Sequence, residues 1–197
     1  MNCSITKKEV DALPLETCNI EIVVVENRLT AAIAVAMLSQ KHQLGFDTET
    51  RPSFRQGYEN QNKVALIQLS TETKCFLFRL NKIGAYKPLF NLLADGKVQK
   101  IGLSVSNDLL ALEKYLNFSP NGFVDIQQKA KMLGFESLSL QKIYAILFKR
   151  KISKRQRLSN WEADELTDAQ RKYAALDAWS CLRIYKEFNL LEKNDEI

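Results

Sequence analysis

Two carboxylates at the end of an apolar strand constrain this chain more than any other feature. The stretch LGFDTET runs from Leu44 to Thr50 and delivers Asp47 and Glu49 with one threonine between them. In a strand, side chains two positions apart point to the same face. Two negative charges so close repel, and one takes up a proton unless a cation lies between them. Because Mg²⁺ and Mn²⁺ prefer carboxylate oxygen, the pattern predicts half of a metal site. The alternative is an ordinary strand that runs into a solvated turn.

Size and composition predict a single domain. The 197 residues suit one core, and 46% hydrophobic with 26% charged residues is ordinary for a globular protein. No apolar run approaches the ~20 residues that span a bilayer, and no apolar segment follows the charges of the N-terminal MNCSITKKEV. The four cysteines form no CxxC pair and the chain has one histidine, which argues against a structural zinc site. The cysteines are predicted to be reduced thiols, as in a cytoplasmic protein. No membrane partner is expected.

The net charge of +5 comes from one short stretch. Residues 149–157 (KRKISKRQR), which we call the basic segment, contain six Lys or Arg and no acidic residue. Without these six, 22 basic residues stand against 23 acidic ones. This concentration predicts a polyanionic partner, and the alternative is a solvated flexible loop.

Hydrophobic periodicity predicts an alternation of strands and helices. The polar residues 51–63, with Pro52 and Gly57, predict a loop after the acidic pair. The short polar link 70–74 favours an antiparallel hairpin, so we expect the first three strands to be antiparallel neighbours and later crossovers to add parallel strands. Strands are predicted at 20–25, 64–69, 75–80, 98–101 and 123–125, and a further strand is predicted to end in the acidic pair. Helices are predicted at 28–38, 86–93, 104–116, 127–133, 138–147 and from 168 to about 191.

A further acidic residue lies at the start of a predicted helix. Ser104 or Ser106 is expected to cap the helix at 104–116, which places Asp108 in its first turn. A helix dipole favours a negative charge there, so Asp108 has a structural explanation as well as a functional one.

The last predicted helix carries two more candidate site residues. Thr167 and Gln170 fit a capping box at its start. Tyr173 and Asp177 are four residues apart and therefore share a face of the helix, although they could merely form an exposed pair.

Five residues in this order resemble the signature of the DEDDy class of 3′→5′ exonucleases, in the ribonuclease H-like superfamily. FDTET resembles the first motif of that family, IGLSVSNDLLAL the second, and YAALD the third, Y-x-x-x-D. The wider match, over about residues 20 to 190, is similar to the Werner-type exonuclease domain and to ribonuclease D, and it includes KVALIQLS and LTDAQRKYAALDAW. The signature residues are Asp47, Glu49, Asp108, Tyr173 and Asp177.

The resemblance implies a fold and an activity. The fold is a three-layer α/β ribonuclease H-like fold, in which helices flank a mixed sheet of five to six strands. The exonuclease domain is expected at 20–191, between an N-terminal segment, 1–19, and a C-terminal tail, 192–197. The activity is release of nucleoside 5′-monophosphates from the 3′ end of DNA, with two Mg²⁺ or Mn²⁺ ions. DNA is favoured by the Werner-like motifs and by the missing helical extension of ribonuclease D. The alternatives are ribonuclease D-like processing of RNA 3′ ends and an inactive nucleic-acid-binding module.

The resemblance also implies a role for each signature residue. Asp47 bridges both ions, whereas Glu49 and Asp177 hold the ion that carries the nucleophilic water. Asp108 supports the second ion, and Tyr173 hydrogen-bonds the attacking water.

Substrate contacts are expected at three places. Thr48 and Thr50 are expected to contact the 3′-terminal nucleotide. Leu110 aligns with an aromatic residue of the Werner-type domain, so it is expected beside the last base; the alternative is plain helix core. Phosphates are expected to meet the basic segment at Lys149, Arg150, Lys154, Arg155 and Arg157.

Overall fold

The computed structural model describes residues 3–17, 19–50 and 63–195, without the side chains of residues 194 and 195. The predicted loop at 51–63 therefore lies outside the described residues, apart from Lys63. The strands are β1 (Glu21–Val25), β2 (Gln43–Thr50), β3 (Val64–Ser70), β4 (Lys74–Arg79), β5 (Gln99–Gly102) and β6 (Phe123–Asp125). The helices are α1 (Lys7–Ala12), α2 (Arg28–Leu38), α3 (Leu80–Ile83), α4 (Lys87–Ala94), α5 (Ser106–Glu113), α6 (Ile126–Met132), α7 (Leu140–Phe148) and α8 (Asp168–Asp195).

A mixed six-stranded sheet organises the described residues, in the order β1-β4-β3-β2-β5-β6. The strands β2, β3 and β4 form an antiparallel meander, as the short polar link predicted. β5 and β6 add to the other side of β2 as parallel strands. The sheet therefore has the predicted mixed character, and β2, which carries the acidic pair, lies in its interior.

The first strand departs from the predicted topology. β1 pairs in parallel with β4 at the edge of the sheet, with Ile22 opposite Cys75, and is not an antiparallel neighbour of β2. The physical reason lies in the connection, because the 11-residue helix α2 separates β1 from β2. A tight hairpin cannot accommodate a helix, whereas a crossover connection can.

Helices cover both faces of the sheet and give the predicted three layers. One apolar cluster joins the sheet to α2, α4 and α5. The other face packs mainly on α8, with Leu66 and Leu77 of the sheet against Ala174 and Ala178 of the helix. No helix of the described residues is both long and apolar enough to cross a membrane.

The packing of α8 on β2 requires a glycine. A Cβ atom at Gly45 would lie 1.9 Å from the carbonyl oxygen of Ala178, so only glycine allows this approach. Asp177 directly precedes Ala178 in the chain. The close helix–strand contact therefore brings Asp177 near the end of β2. The helix begins as predicted, because Gln170 N donates to Thr167 Oγ1 (3.3 Å) and Thr167 N donates to Gln170 Oε1 (3.0 Å).

The N-terminal segment packs onto the α7–α8 layer. Glu16 is buried and accepts hydrogen bonds from Tyr144 Oη (2.6 Å) and from a guanidinium nitrogen of Arg183 (3.1 Å). The backbone of Lys151 donates to Pro14 O (2.9 Å) and accepts from Glu16 N (2.8 Å). These bonds fix the start of the basic segment. The division of the chain at residues 19 and 191 stays a prediction.

Candidate active site

Three carboxylates converge where β2 ends. One oxygen atom from each of Asp47, Glu49 and Asp177 lies within 4.8 Å of the others, a spacing that could hold a metal ion. β2 supplies the first two residues and α8 supplies the third. Because all the donors are carboxylate oxygens, the set fits a hard divalent cation better than a soft one. We call these three residues the acidic triad.

Asp108 lies beside the acidic triad and is held by Thr48. The Thr48 hydroxyl donates a hydrogen bond of 2.5 Å to Asp108 Oδ1. The charge of Asp108 also contributes to the raised pKa of Asp47, so the two carboxyl groups are close in space. Thr48 is therefore engaged within the site, and its predicted contact with nucleic acid stays a prediction.

The turn before Asp108 differs from the predicted cap. The N-cap position of α5 is occupied by Val105 and has no side-chain hydrogen bond, so capping by Ser104 or Ser106 is wrong. Ser104 instead has φ of 57°, in the left-handed region. Its backbone N–H donates to Asp125 Oδ1 (2.9 Å), which also accepts from Gln127 N (2.9 Å) at the start of α6. A single carboxylate thus joins the turn that precedes Asp108 to the next helix.

Burial raises the pKa values of the four acidic groups, and repulsion between the carboxylates adds to it at Asp47 and Glu49. Burial is the largest cause at Asp47, and the charges of Asp177 and Asp108 add to it. Burial, followed by the charge of Asp47, raises the pKa of Glu49 to about 10. Burial also raises the pKa values of Asp108 and Asp177. A cation among these groups would lower their pKa values, so the electrostatics fit a metal site.

Tyr173 faces the acidic triad one helical turn before Asp177. Its hydroxyl lies close enough to the Asp177 carboxyl group for each to shift the pKa of the other. Burial, followed by the charges of Asp177 and Glu49, raises the pKa of Tyr173, so the phenol keeps its proton at neutral pH. Its ring packs against the fully buried Trp161, with ring centroids 5.9 Å apart. The geometry makes Tyr173 a rigid hydrogen-bond donor.

Part of the basic segment, which has no helical structure, lies near the acidic triad. Lys154 lowers the pKa of Asp177 through its charge, and Arg157 lowers that of Glu49. These two cations are therefore within electrostatic reach of the triad. Lys149, Arg150 and Arg155 are exposed as well, and none of these five residues forms an ion pair with a carboxylate of the described chain. Phosphate binding by all five stays a prediction.

Leu110 lies on the surface of α5, two residues after Asp108. The residue is 59% exposed, so the helix-core alternative is wrong. Contact of Leu110 with a terminal base therefore stays a prediction. Thr50, the last residue of β2, is half-buried, and its contact with nucleic acid likewise stays a prediction.

Gln68 is a residue of this region that sequence reasoning missed. It pairs with Asp47 across the β2–β3 ladder, and directly opposite side chains share a face. Gln68 is fully buried, and neither polar atom of its amide has a hydrogen-bond partner among the described residues. An unpaired buried polar group costs ~1–3 kcal/mol. The Gln68 amide next to Asp47 therefore needs an explanation other than its contribution to stability. The signal in the sequence was a glutamine inside the apolar run VALIQL.

The raised pKa of Glu49 predicts how the stability of the metal-free protein depends on pH. The folded state prefers the protonated carboxyl group, so this contribution is complete below about pH 4, where glutamate ionises in the unfolded chain. The contribution is lost as the pH rises toward about 10, the folded-state pKa. Glu49→Gln removes the titration, so in EDTA its melting temperature is expected to gain at least about 3 °C over the parent between about pH 6 and about pH 9. A constant difference between the two proteins across this range would contradict the expectation.

A family model and several known proteins are similar to the chain. A family model described as 3′-5′ exonuclease matches residues 22–191. The bifunctional 3′-5′ exonuclease/ATP-dependent helicase WRN of Mus musculus is 30% identical over 160 residues, which are 78% of this chain and 11% of that protein. Ribonuclease D of Haemophilus influenzae is 34% identical over 166 residues, 83% of this chain and 40% of that protein. The chain thus spans less than half the length of either relative.

The fold is similar to that of a solved exonuclease domain. The crystal structure of the Aedes aegypti Nibbler EXO domain superposes with a TM-score of 0.83 at 20% identity, and the match covers 92% of this chain and 94% of that domain. This similarity confirms the predicted ribonuclease H-like fold with its mixed sheet and flanking helices.

Proposed function

Because the chain belongs to the 3′-5′ exonuclease family, we propose that it removes nucleotides one at a time from the 3′ end of DNA. Family membership and the acidic triad identify a metal-dependent exonuclease domain. The observation that carries the proposal is the approach of Asp47, Glu49 and Asp177 to within 4.8 Å. The products would be nucleoside 5′-monophosphates, and the ions would be two Mg²⁺ or Mn²⁺.

The reaction assigns a task to each residue of the site. The oxygen of a water molecule attacks the terminal phosphorus, the bond to the 3′ oxygen of the preceding nucleotide breaks, and that oxygen takes up a proton. Bound divalent ions supply activation of the water and neutralisation of charge on the phosphate. Asp47 is close to both Asp177 and Asp108, so it can offer oxygen atoms at two ion positions. Glu49 and Asp177 would complete the ligands of the first ion, Asp108 would support the second, and Tyr173 would orient the water.

DNA is the first substrate that we propose, and RNA is the second. The motifs around the signature residues are Werner-like, which supports DNA, whereas similarity to ribonuclease D supports RNA. An inactive nucleic-acid-binding module is a third candidate. The complete set of Asp47, Glu49, Asp108, Tyr173 and Asp177 counts against it.

A digestion of matched DNA and RNA oligonucleotides tests the proposal. Labelled single-stranded and 3′-recessed substrates are incubated with the protein in Mg²⁺, in Mn²⁺ or in EDTA, and the products are separated by size and charge. We expect stepwise shortening from the 3′ end and 5′-monophosphates only with metal, at least about tenfold faster on DNA than on RNA, which corresponds to ~1.4 kcal/mol in the barrier. Faster digestion of RNA would favour the ribonuclease D-like alternative, and binding without digestion would favour the inactive module.

Neutralising two arginines of the basic segment is expected to weaken substrate binding. Arg150→Ala combined with Arg155→Ala should raise KM about tenfold and leave kcat nearly unchanged, because these residues meet phosphates away from the reacting bond. The slope of log affinity against log salt should become shallower by ~1.4 for a single strand, about 0.7 for each lost phosphate contact. Lys87→Ala combined with Lys97→Ala is the matched control, since both lysines are exposed and the net charge falls equally. An unchanged salt slope would favour a solvated loop.

A further inference from the structure

Helix α2 has an apolar face that no described part of the chain covers. Leu29, Ile33 and Met37 follow one another at four-residue spacing and are 74%, 55% and 43% exposed. The twelve residues 29–40 contain no charged side chain, and the other face of α2 is buried in the core. A helix that is apolar on all sides is normally covered on all sides. The exposed face therefore indicates a contact surface.

This apolar face leads into a cavity. Met37 also lines a cavity of about 510 Å³ between α2, the turn that joins β3 to β4, and α8. Leu38, Phe76 and Leu182 contribute further apolar atoms to its lining. The side chains of Leu29, Ile33 and Met37 thus form a row that ends in a depression, which together we call the α2 groove.

Basic side chains surround the cavity end of the α2 groove. Lys41, His42, Lys74 and Lys186 line it, against a single acidic residue, Glu72. Lys74 and Lys186 pair with neighbouring glutamates. Lys41 is exposed and makes no ion pair with any residue that the structure describes. The groove therefore combines an uncharged apolar row with a positively charged end.

We propose that the α2 groove binds an amphipathic peptide segment of a partner protein, with apolar residues on one side and acidic residues toward the cavity. The apolar side covers Leu29, Ile33 and Met37, and the acidic residues meet Lys41. This arrangement follows the way amphipathic segments occupy apolar grooves, with anchor residues three and four positions apart. Charge complementarity at the cavity end fixes the direction of the peptide.

Two other occupants fit the groove less well. A nucleic acid strand would present phosphates along the whole groove, yet residues 29–40 offer no cation to meet them. A second copy of the chain would bring the same basic residues and a net charge of +5. One face of an 11-residue helix, about 16 Å long and about 10 Å wide, also falls short of the ~800 Å² that each partner buries in a stable dimer.

The cavity end of the α2 groove lies at the opposite end of β2 from the acidic triad. Gln43, at the start of β2, lines the cavity, whereas Asp47 and Glu49 lie at the end of that strand. Four residues of strand separate Gln43 from Asp47 by roughly 13 Å. A partner bound at the cavity end therefore lies away from the nuclease site, and this inference does not depend on which nucleic acid is cleaved.

A designed peptide tests the inference. The probe is a fluorescein-labelled 16-residue peptide with Leu at helical spacing and Glu at the other positions, and the control peptide carries Lys in place of Glu. Fluorescence anisotropy at low salt should give a Kd of about 10–100 µM for the acidic peptide and at least tenfold weaker binding for the basic one. Ile33→Glu and Lys41→Glu should each weaken binding of the acidic peptide at least about tenfold, or ~1.4 kcal/mol. Both residues are exposed, so the variants should keep exonuclease activity.

The single histidine of the chain locates the binding event. His42 lines the cavity, so its imidazole resonances should shift on addition of the acidic peptide and stay in place with the basic one. Equal binding of both peptides, absence of binding, or full binding by Ile33→Glu would overturn the inference. So would displacement of the peptide by a single-stranded oligonucleotide, which would mark a polyanion site. A dimer seen by sedimentation and lost in Ile33→Glu would instead identify a second copy as the occupant.

Discussion

Replacing Asp47 with Asn is expected to abolish nuclease activity and, at the same time, to stabilise the metal-free protein. Asp47 is close to both Asp177 and Asp108, so its loss removes a ligand from two proposed ion positions. We expect kcat/KM to fall at least about 10³-fold, because the ions supply several kcal/mol of transition-state stabilisation. In EDTA near neutral pH, the melting temperature should rise by about 2–4 °C or more, since the amide avoids the cost of a carboxyl group whose pKa burial and two neighbouring carboxylates raise on folding.

The opposite signs of the two effects separate a functional carboxylate from a structural one. The side-chain amide introduced by Asp47→Asn keeps an oxygen that can accept the 2.9 Å hydrogen bond from Thr48 N, so loss of packing is not expected. Glu113→Gln serves as the control, because Glu113 is exposed at the end of α5. It should change neither activity nor the stabilisation by Mn²⁺. Activity within tenfold of the parent for Asp47→Asn would remove Asp47 from the metal site.

Tyr173→Phe is expected to slow turnover while metal binding persists. The hydroxyl lies near Asp177, and the pKa of Tyr173 is raised by burial and then by neighbouring carboxylates. The phenol therefore keeps its proton, so it orients the water and is not the base that removes a proton from it. We expect kcat to fall about 10²-fold, which is the size of effect that removal of one positioned hydrogen-bonding group has at an active site. The rise in melting temperature with Mn²⁺ should remain close to that of the parent, since all four carboxylates are retained.

Tyr185→Phe on the same helix is the matched control. Tyr185 is half-buried and packs under the Lys129 ammonium group, 5.1 Å from the ring centroid, on a part of α8 that does not reach the triad. Its loss should leave kcat unchanged. If Tyr173→Phe also lost the Mn²⁺-dependent rise in melting temperature, the hydroxyl would be holding Asp177 in place and not the water. Unchanged turnover would mean that another group orients the attacking water.

The regularities visible in the sequence predicted most elements and the chemistry of the site. Period-two spacing predicted that Asp47 and Glu49 share a face, and the four-residue spacing of Tyr173 and Asp177 predicted a shared helix face. Both predictions depend only on local geometry, which a strand or helix imposes on any sequence. The position of β1 was mistaken, because strand pairing is decided by contacts between distant residues and not by the pattern within one strand. The left-handed turn at Ser104 was missed for a similar reason, since Asp125, 21 residues later, stabilises it.

The sequence alone determined which groups this protein has for its chemistry: carboxylates, one tyrosine and a concentrated run of cations. Only the tertiary structure decided that they meet. Asp177 reaches the end of β2 because α8 packs against Gly45 so closely that no side chain fits between them. Likewise, Arg157 and Lys154 lie near the carboxylates because the chain after α7 returns toward the start of α8. Burial then strengthens the repulsion between the carboxylates, since like charges repel weakly in water and strongly when the solvent is excluded. The folded arrangement turns ordinary acidic residues into a site that a metal ion can complete.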